Sequence, residues 1–197
     1  MKKILFTTLL SVLTLFAMAT KPHTDHVRVD IHKSTVKWKG SKITKGHEGF
    51  IQIQKGVLMI EHSTLVGGQI SFNMKTITNS DIESEKYKAM LEGHLKSDDF
   101  FDVDKYPLST ISITKATKTE GNNYSIVADL SIKGITHPIT FDAEVNINKV
   151  EFVVAANIKI DRTKWDIVYN SGNFFKDLGD KLILDEIEFD ILLLSVK

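Results

Sequence analysis

The sequence predicts one mainly β domain, its antiparallel strands joined by short turns, with a helix and its exit loop laid over one end. Three observations carry this. Apolar and polar residues alternate with a period of two over most of the chain, the pattern of strands with one wet and one buried face. The period changes once, between Asn79 and Leu95, where apolar residues recur at helical spacing. Directly after it comes GHLKSDDFFDVDKYP, Gly93 to Pro107, in which Phe100 and Phe101 sit among Asp98, Asp99 and Asp102. A paired aromatic inside a charged segment is expected to fold inward, making this loop a lid.

The elements follow in order. Lys2 and Lys3 precede an apolar run from Ile4 to Phe16, which ends at Ala17-Met18-Ala19. That is the arrangement of a signal peptide, residues 1–19, cleaved near Ala19. The run is short of the ~20 residues a membrane-spanning helix needs. The mature domain, 20–197, is therefore expected to be exported, to the periplasm or beyond. It has no cysteine for a lipid anchor or a disulfide. Thr20 to Asp25 reads as a frayed start. Strand patterns follow in VRVDIH, TVKWKG, GFIQIQKGVLMIEH and QISFNM, broken by glycines at turn or bulge positions. Ser80 and Glu83 form a capping-box pair at the head of the helix, and Gly93 reads as its stop. Beyond Pro107 the alternation is clean. Ile111 and Ile113, Ile126 to Ile132, Ile139 to Ile147, Phe152 to Ile160 and Ile187 to Leu193 each present one apolar face. Gly134 to Pro138 turns the chain, as does Asn148-Lys149. Asp161 to Asp180 is less regular and carries Trp165 and the pair Phe174-Phe175. Seven or eight such strands close into a barrel or fold into a sandwich.

Composition narrows the functions. The chain has 197 residues, 42% hydrophobic and 25% charged, which suits one globular domain with a sizeable core. Its 25 basic and 25 acidic residues give no excess of positive charge with which to neutralise phosphates, so nucleic acid is not an expected partner. The sequence contains no G-x-S-x-G elbow, H-E-x-x-H helix, P-loop or G-x-G-x-x-G turn. His23 and His26 lack the further ligands a metal site needs, and no metal is expected. Asp98, Asp99 and Asp102 could act as an acid–base pair, but no nucleophile or oxyanion group accompanies them, so no catalytic residue is assigned. His47 and His94 are open to two readings. They hydrogen-bond a ligand head group at a barrel mouth, or they satisfy a loop carbonyl and a helix end. An eight-stranded barrel is just wide enough to fill with side chains or to hold one small ligand. Ala128, Ala143 and Ala156, each in the middle of an apolar face, favour space inside.

Four ordered motifs then carry a resemblance over essentially the whole mature chain. They are WKGSKITKGHEG (38–49), GHLKSDDFFDVDKYP (93–107), LSIKGITHPITF (130–141) and Asp161-Arg162-Thr163-Lys164-Trp165. With them the chain resembles the YceI-like family, exported bacterial proteins that bind polyisoprenoid or related long-chain lipids. The resemblance implies a single antiparallel lipocalin-like β-barrel of about eight strands, with the helix and loop covering its mouth. It also implies a non-enzymatic protein, without cofactor, holding an isoprenoid-type lipid in an internal tunnel as carrier, store or sensor. The expected ligand-binding residues are Phe72, Met90, His94, Phe100, Phe101, Ile113, Leu130, Phe141, Ala143, Val154, Trp165, Phe174, Phe189 and His47. Expected partners are a long-chain isoprenoid or quinone-like lipid, a membrane with which it exchanges transiently, and a second copy of the chain as a homodimer. Two other readings stand beside this one. One is a hydrolase or isomerase of a small apolar substrate at the mouth; the other is a filled-barrel stress-response interaction module.

Overall fold

Alternating sequences bury every second side chain once strands pair, and closing the sheet removes the exposed edges. The computed structural model shows this closure and describes residues 23–149 and 151–196. The segment read as a signal peptide lies outside the described residues. The strands are β1 (Thr24–Arg28), β2 (Thr35–Lys42), β3 (Gly46–Glu61), β4 (Thr64–Asn79), β5 (Leu108–Lys118), β6 (Asn123–Ile132), β7 (Ile135–Asn148), β8 (Glu151–Asp161) and β9 (Ile183–Leu194). All named pairings are antiparallel. β2 through β9 form the closed ring, in the order β2-β9-β8-β7-β6-β5-β4-β3 and back to β2. β1 lies outside the ring. It pairs Thr24 to Arg28 with the far half of β3, along the edge whose near half β2 occupies. Thr24 and Asp25, expected to fray, are thus tied to Glu61 and Ile60.

Two long strands, β3 and β4, bend to shape the ring, and their pairing shifts register at Phe50/Gln52, Ile53/Lys55 and Met59/Ile60. They come close at Gly49, where a Cβ would meet the Thr78 carbonyl oxygen at 1.8 Å; only glycine fits. On the opposite side the wall is splayed. β6 is paired along its full length with β7, from Ile135 to Glu144, but β8 pairs with β7 only from Ala143 onward. Pro138, read as part of a turn, lies in the strand half that β8 leaves unpaired, where a missing N–H removes no ladder bond on that edge. The 3-10 turn Arg162–Trp165 packs against this half of β7, with the Trp165 ring edge-on to His137 at 5.3 Å.

The helix, α1 (Glu85–Lys96), differs from the sequence reading at both ends. The Ser80/Glu83 pair caps nothing. Instead Asn79, 2% exposed, accepts the Ile82 N–H at 2.9 Å and donates to the Glu48 carbonyl at 3.0 Å. This local side-chain turn competes with helix, and the helix begins only after Ser84. Gly93 lies within it, with open space where a Cβ would point. The stop is Ser97, whose N–H and hydroxyl both donate to the His94 carbonyl, at 3.2 and 2.8 Å. Phe101 and Val103 then donate their N–H groups to the carbonyls of Leu95 and Lys96, both at 3.1 Å. Those bonds curl the loop back under the helix and bury Phe100, Phe101 and Val103. The lid forms as the aromatic pair predicts.

Candidate functional site: a run of apolar cavities beneath the helix

Inward-facing residues of the ring are mostly buried, including Trp38, Ile51, Met74, Ile126, Leu130 and Ile158. Several others with the same orientation keep some exposure: Ile113, Ile139, Phe141, Ala156, Phe189 and Ile191. Both sets border three apolar cavities stacked along the barrel interior. The first, about 90 Å³, lies under the lid, with Leu91, Leu95, Phe100 and Phe101 above it and Trp38, Ile77 and Ile187 in its walls. The second, about 40 Å³, shares Ile51, Phe101 and Phe189 with the first. The third, about 30 Å³, shares Phe72, Ile111, Ile158 and Ile191 with the second and reaches Leu58 and Leu65. Single layers of side chains therefore separate adjoining spaces.

Polar contacts hold the lid down at two places. At its entry, Asp81 accepts the Glu48 N–H at 3.1 Å, a bond from Asn79, and a contact from His47 Nδ1 at 2.9 Å. Partial burial works against ionisation of Asp81. The Glu48 N–H, His47 and Asn79 nevertheless hold its carboxyl below the usual carboxylate range. A lowered folded-state value stabilises the fold above the ordinary aspartate pKa, near 3.9, and that stability is lost as pH falls through the lower value. Acid melts should therefore show a loss of stability below about pH 4 that is diminished in Asp81→Asn. At the lid's exit, Lys133 donates to the Asp98 and Asp166 carbonyls at 3.2 and 3.0 Å, joining the two loops over the mouth. His94 stands between the rings of Phe100 (4.9 Å) and Tyr169 (4.6 Å), with Asp99 at 3.2 Å.

Arg162 is the most buried cation described, at 1% exposure, and it forms part of the first cavity's wall. Its Nε donates to Leu184 O (3.1 Å), Nη1 to Ile167 O (2.6 Å), and Nη2 to Ile183 O (3.0 Å) and Asp185 (3.2 Å). Burial pushes the guanidinium down from its ordinary pKa, opposed by the Asp185 and Asp161 carboxylates.

The expected site residues separate on this geometry. Phe72, Phe100, Phe101, Ile113, Leu130, Phe141, Val154, Phe189 and His47 all border one or more of the three cavities. The others do not. Met90 (62% exposed) faces outward, because Leu91 and Leu95, one turn apart, are the helix residues that meet the barrel, and Phe174 (58%) is exposed on the loop before β9. His94 belongs to the lid's aromatic stack. Trp165 fills the β7 splay and donates its indole N–H to Leu130 O at 3.1 Å. Ala143 is buried where β7 meets β8, and Ala128 is fully enclosed; of the three alanines only Ala156 borders an interior cavity. Sequence reasoning missed Trp38, Ile77, Arg162 and the Lys42/Lys45 pair of the β2–β3 hairpin. WKGSK and the DRTKW segment held most of that signal, since both lie within matched motifs.

Residues 27–193 match the YceI-like domain. Among curated relatives, a UPF0312 protein of Vibrio campbellii is 31% identical over 84 residues, covering 39% of this chain and 44% of that protein. Protein YceI of Escherichia coli O17:K52:H18 is 30% identical over 76 residues, covering 39% and 36%. The chain thus spans less than half the length of these curated relatives. Solved structures share the fold across more of the chain. Burkholderia cenocepacia BcnA has a TM-score of 0.65 at 20% identity, covering 85% of this chain and 99% of that one. A polyisoprenoid binding domain from Saccharophagus degradans, implicated in plant cell wall breakdown, has a TM-score of 0.62 at 14% identity, covering 89% and 98%. Fold, motif order and the extent of the domain match agree: the chain belongs to the YceI-like family.

Proposed function

We propose that the protein holds one long apolar chain, of polyisoprenoid or similar type, along the barrel axis, and serves as its carrier, store or sensor. The observation that carries this reading is the end-to-end stacking of three apolar cavities with shared walls, beneath a lid anchored at both ends. The likeness to a polyisoprenoid binding domain supports it. Each cavity is small beside the ~300–1,000 Å³ of an ordinary ligand site. Admitting a chain therefore requires the shared side chains Phe101, Phe189 and Phe72 to turn aside. Burying apolar chain is worth about 0.8 kcal/mol per CH₂ against water, but a bilayer offers the same gain. Reversible exchange with membranes is then the natural regime, in keeping with an exported protein. The reading includes no catalytic step.

The small cavity volumes favour one competitor, a barrel filled by its own side chains and used for interaction. Mass spectrometry of an organic extract separates the two, using protein purified without detergent from its export compartment. A near-stoichiometric isoprenoid or quinone is the expected result. A clean extract, repeated after incubation with membranes, would support the filled barrel.

A further inference from the structure

The first cavity is apolar in its depth and one-signed at its rim. Lys42, Lys45, His47 and Arg162 border it, and no aspartate or glutamate does, in a chain whose charges balance. The nearby acids are already engaged. Glu48 pairs with Lys37 at 2.8 Å, Asp81 with His47 at 2.9 Å, and Asp185 with Arg162 at 3.2 Å. Lys42 and Lys45 are exposed, and among the described residues neither has a carboxylate within 4.0 Å. The hairpin sets the two lysines at one edge, with the Lys42 N–H donating to the Lys45 carbonyl at 2.8 Å. An uncompensated positive rim attracts negative charge and gains nothing from a neutral hydroxyl, amide or quinone head.

We propose that the ligand of this barrel is an anionic amphiphile, its phosphate or carboxylate head held between Lys42 and Lys45 and its tail in the stacked cavities. This rests on the chain-binding reading above and adds the chemistry of the head. Arg162, tied to three carbonyls and Asp185, forms the wall behind the head, and its bond to the Ile183 carbonyl holds the β9 residue that pairs with Lys42.

The test compares geranylgeranyl phosphate with geranylgeraniol, identical in tail, each delivered from zwitterionic vesicles to the full mature chain. Fluorescence of Trp38, which borders the cavity, is one readout; recovery of lipid with the protein after the vesicles are removed is a second. The phosphate is expected to bind about tenfold more tightly at low ionic strength. That preference should shrink as salt screens the exposed lysines. In the double variant Lys42→Gln, Lys45→Gln the phosphate should fall to the affinity of the alcohol while the alcohol is unchanged. Inorganic phosphate alone, at millimolar concentration, should displace neither. Equal affinity of alcohol and phosphate for the native chain would overturn the head-group inference and leave chain binding standing. Binding of neither would overturn both. Displacement by inorganic phosphate would replace the amphiphile with a free-anion site.

Discussion

Replacing Arg162 with methionine is expected to cost about 3–5 kcal/mol of folding stability, measured by urea unfolding. Methionine keeps the unbranched apolar stem and removes the guanidinium, so the loss falls on the polar contacts. The substitution leaves the carbonyls of Leu184, Ile167 and Ile183 without their donors and Asp185 without its cation. Buried acceptors without partners carry their full desolvation penalty, and an unpaired carboxylate carries more. Arg162 joins the end of β8 to the start of β9 around the first cavity, so binding should fail along with stability. Arg162→Lys should recover only part of the loss, since an ammonium has three donors and no planar fork. A cost under about 1 kcal/mol for Arg162→Met would mean that water replaces the guanidinium without penalty, against its 1% exposure.

Ala156→Phe should shorten the longest chain the barrel accepts. Ala156 borders the third cavity, opposite the lid, and that space of about 30 Å³ cannot hold a phenyl ring together with a ligand tail. Overpacking is expected to cost about 1–3 kcal/mol of stability. A chain kept from burying its last four methylenes loses about 3 kcal/mol of transfer free energy, roughly a hundredfold in affinity against water. A shorter isoprenoid, ending in the second cavity, should bind as before. The contrast between long and short ligands is the readout. Equal loss for both would point to a general disturbance of the wall and count against a continuous tunnel. Ala143→Phe makes the comparison, because Ala143 lies cross-strand from Ala156 on the same buried face yet borders none of the three spaces.

Much of the fold could be read in the residues. Alternation from Ile111 to Leu193 gives β5 to β9 and their inward faces, because a period of two leaves each side chain only two directions. The inward turn of Phe100 and Phe101 was legible for a related reason: adjacent rings among acids have nowhere else to go. The helix ends were not legible. Ser80 and Glu83 have the spacing of a capping box, but Asn79 and Asp81 reach across to β3, and these long-range bonds outweigh a local preference worth about 1 kcal/mol. The outward direction of Met90 and Phe174 was not legible, because apolar character does not say which side of an element is covered. The helix has Leu91 and Leu95 toward the barrel, and its direction of approach decides the matter. Ala128, Ala143 and Ala156 look alike in sequence, yet only one borders a cavity, since the strand across the interior determines whether a small residue leaves space.

The sequence by itself determined the mainly β class, the strand faces, the presence of a lid and, through its four ordered motifs, membership of the YceI-like family. Local pattern suffices there, because pleat and helix period are properties of a few consecutive residues. Tertiary structure alone decided that β1 stands outside the ring, that β7 and β8 part above Ala143, that the cavities stack, and that Lys42 and Lys45 share their rim with Arg162. Those features depend on register and closure between segments as distant as β2 and β9. A one-residue change of register there would exchange the inner and outer faces, and only the assembled packing selects between them.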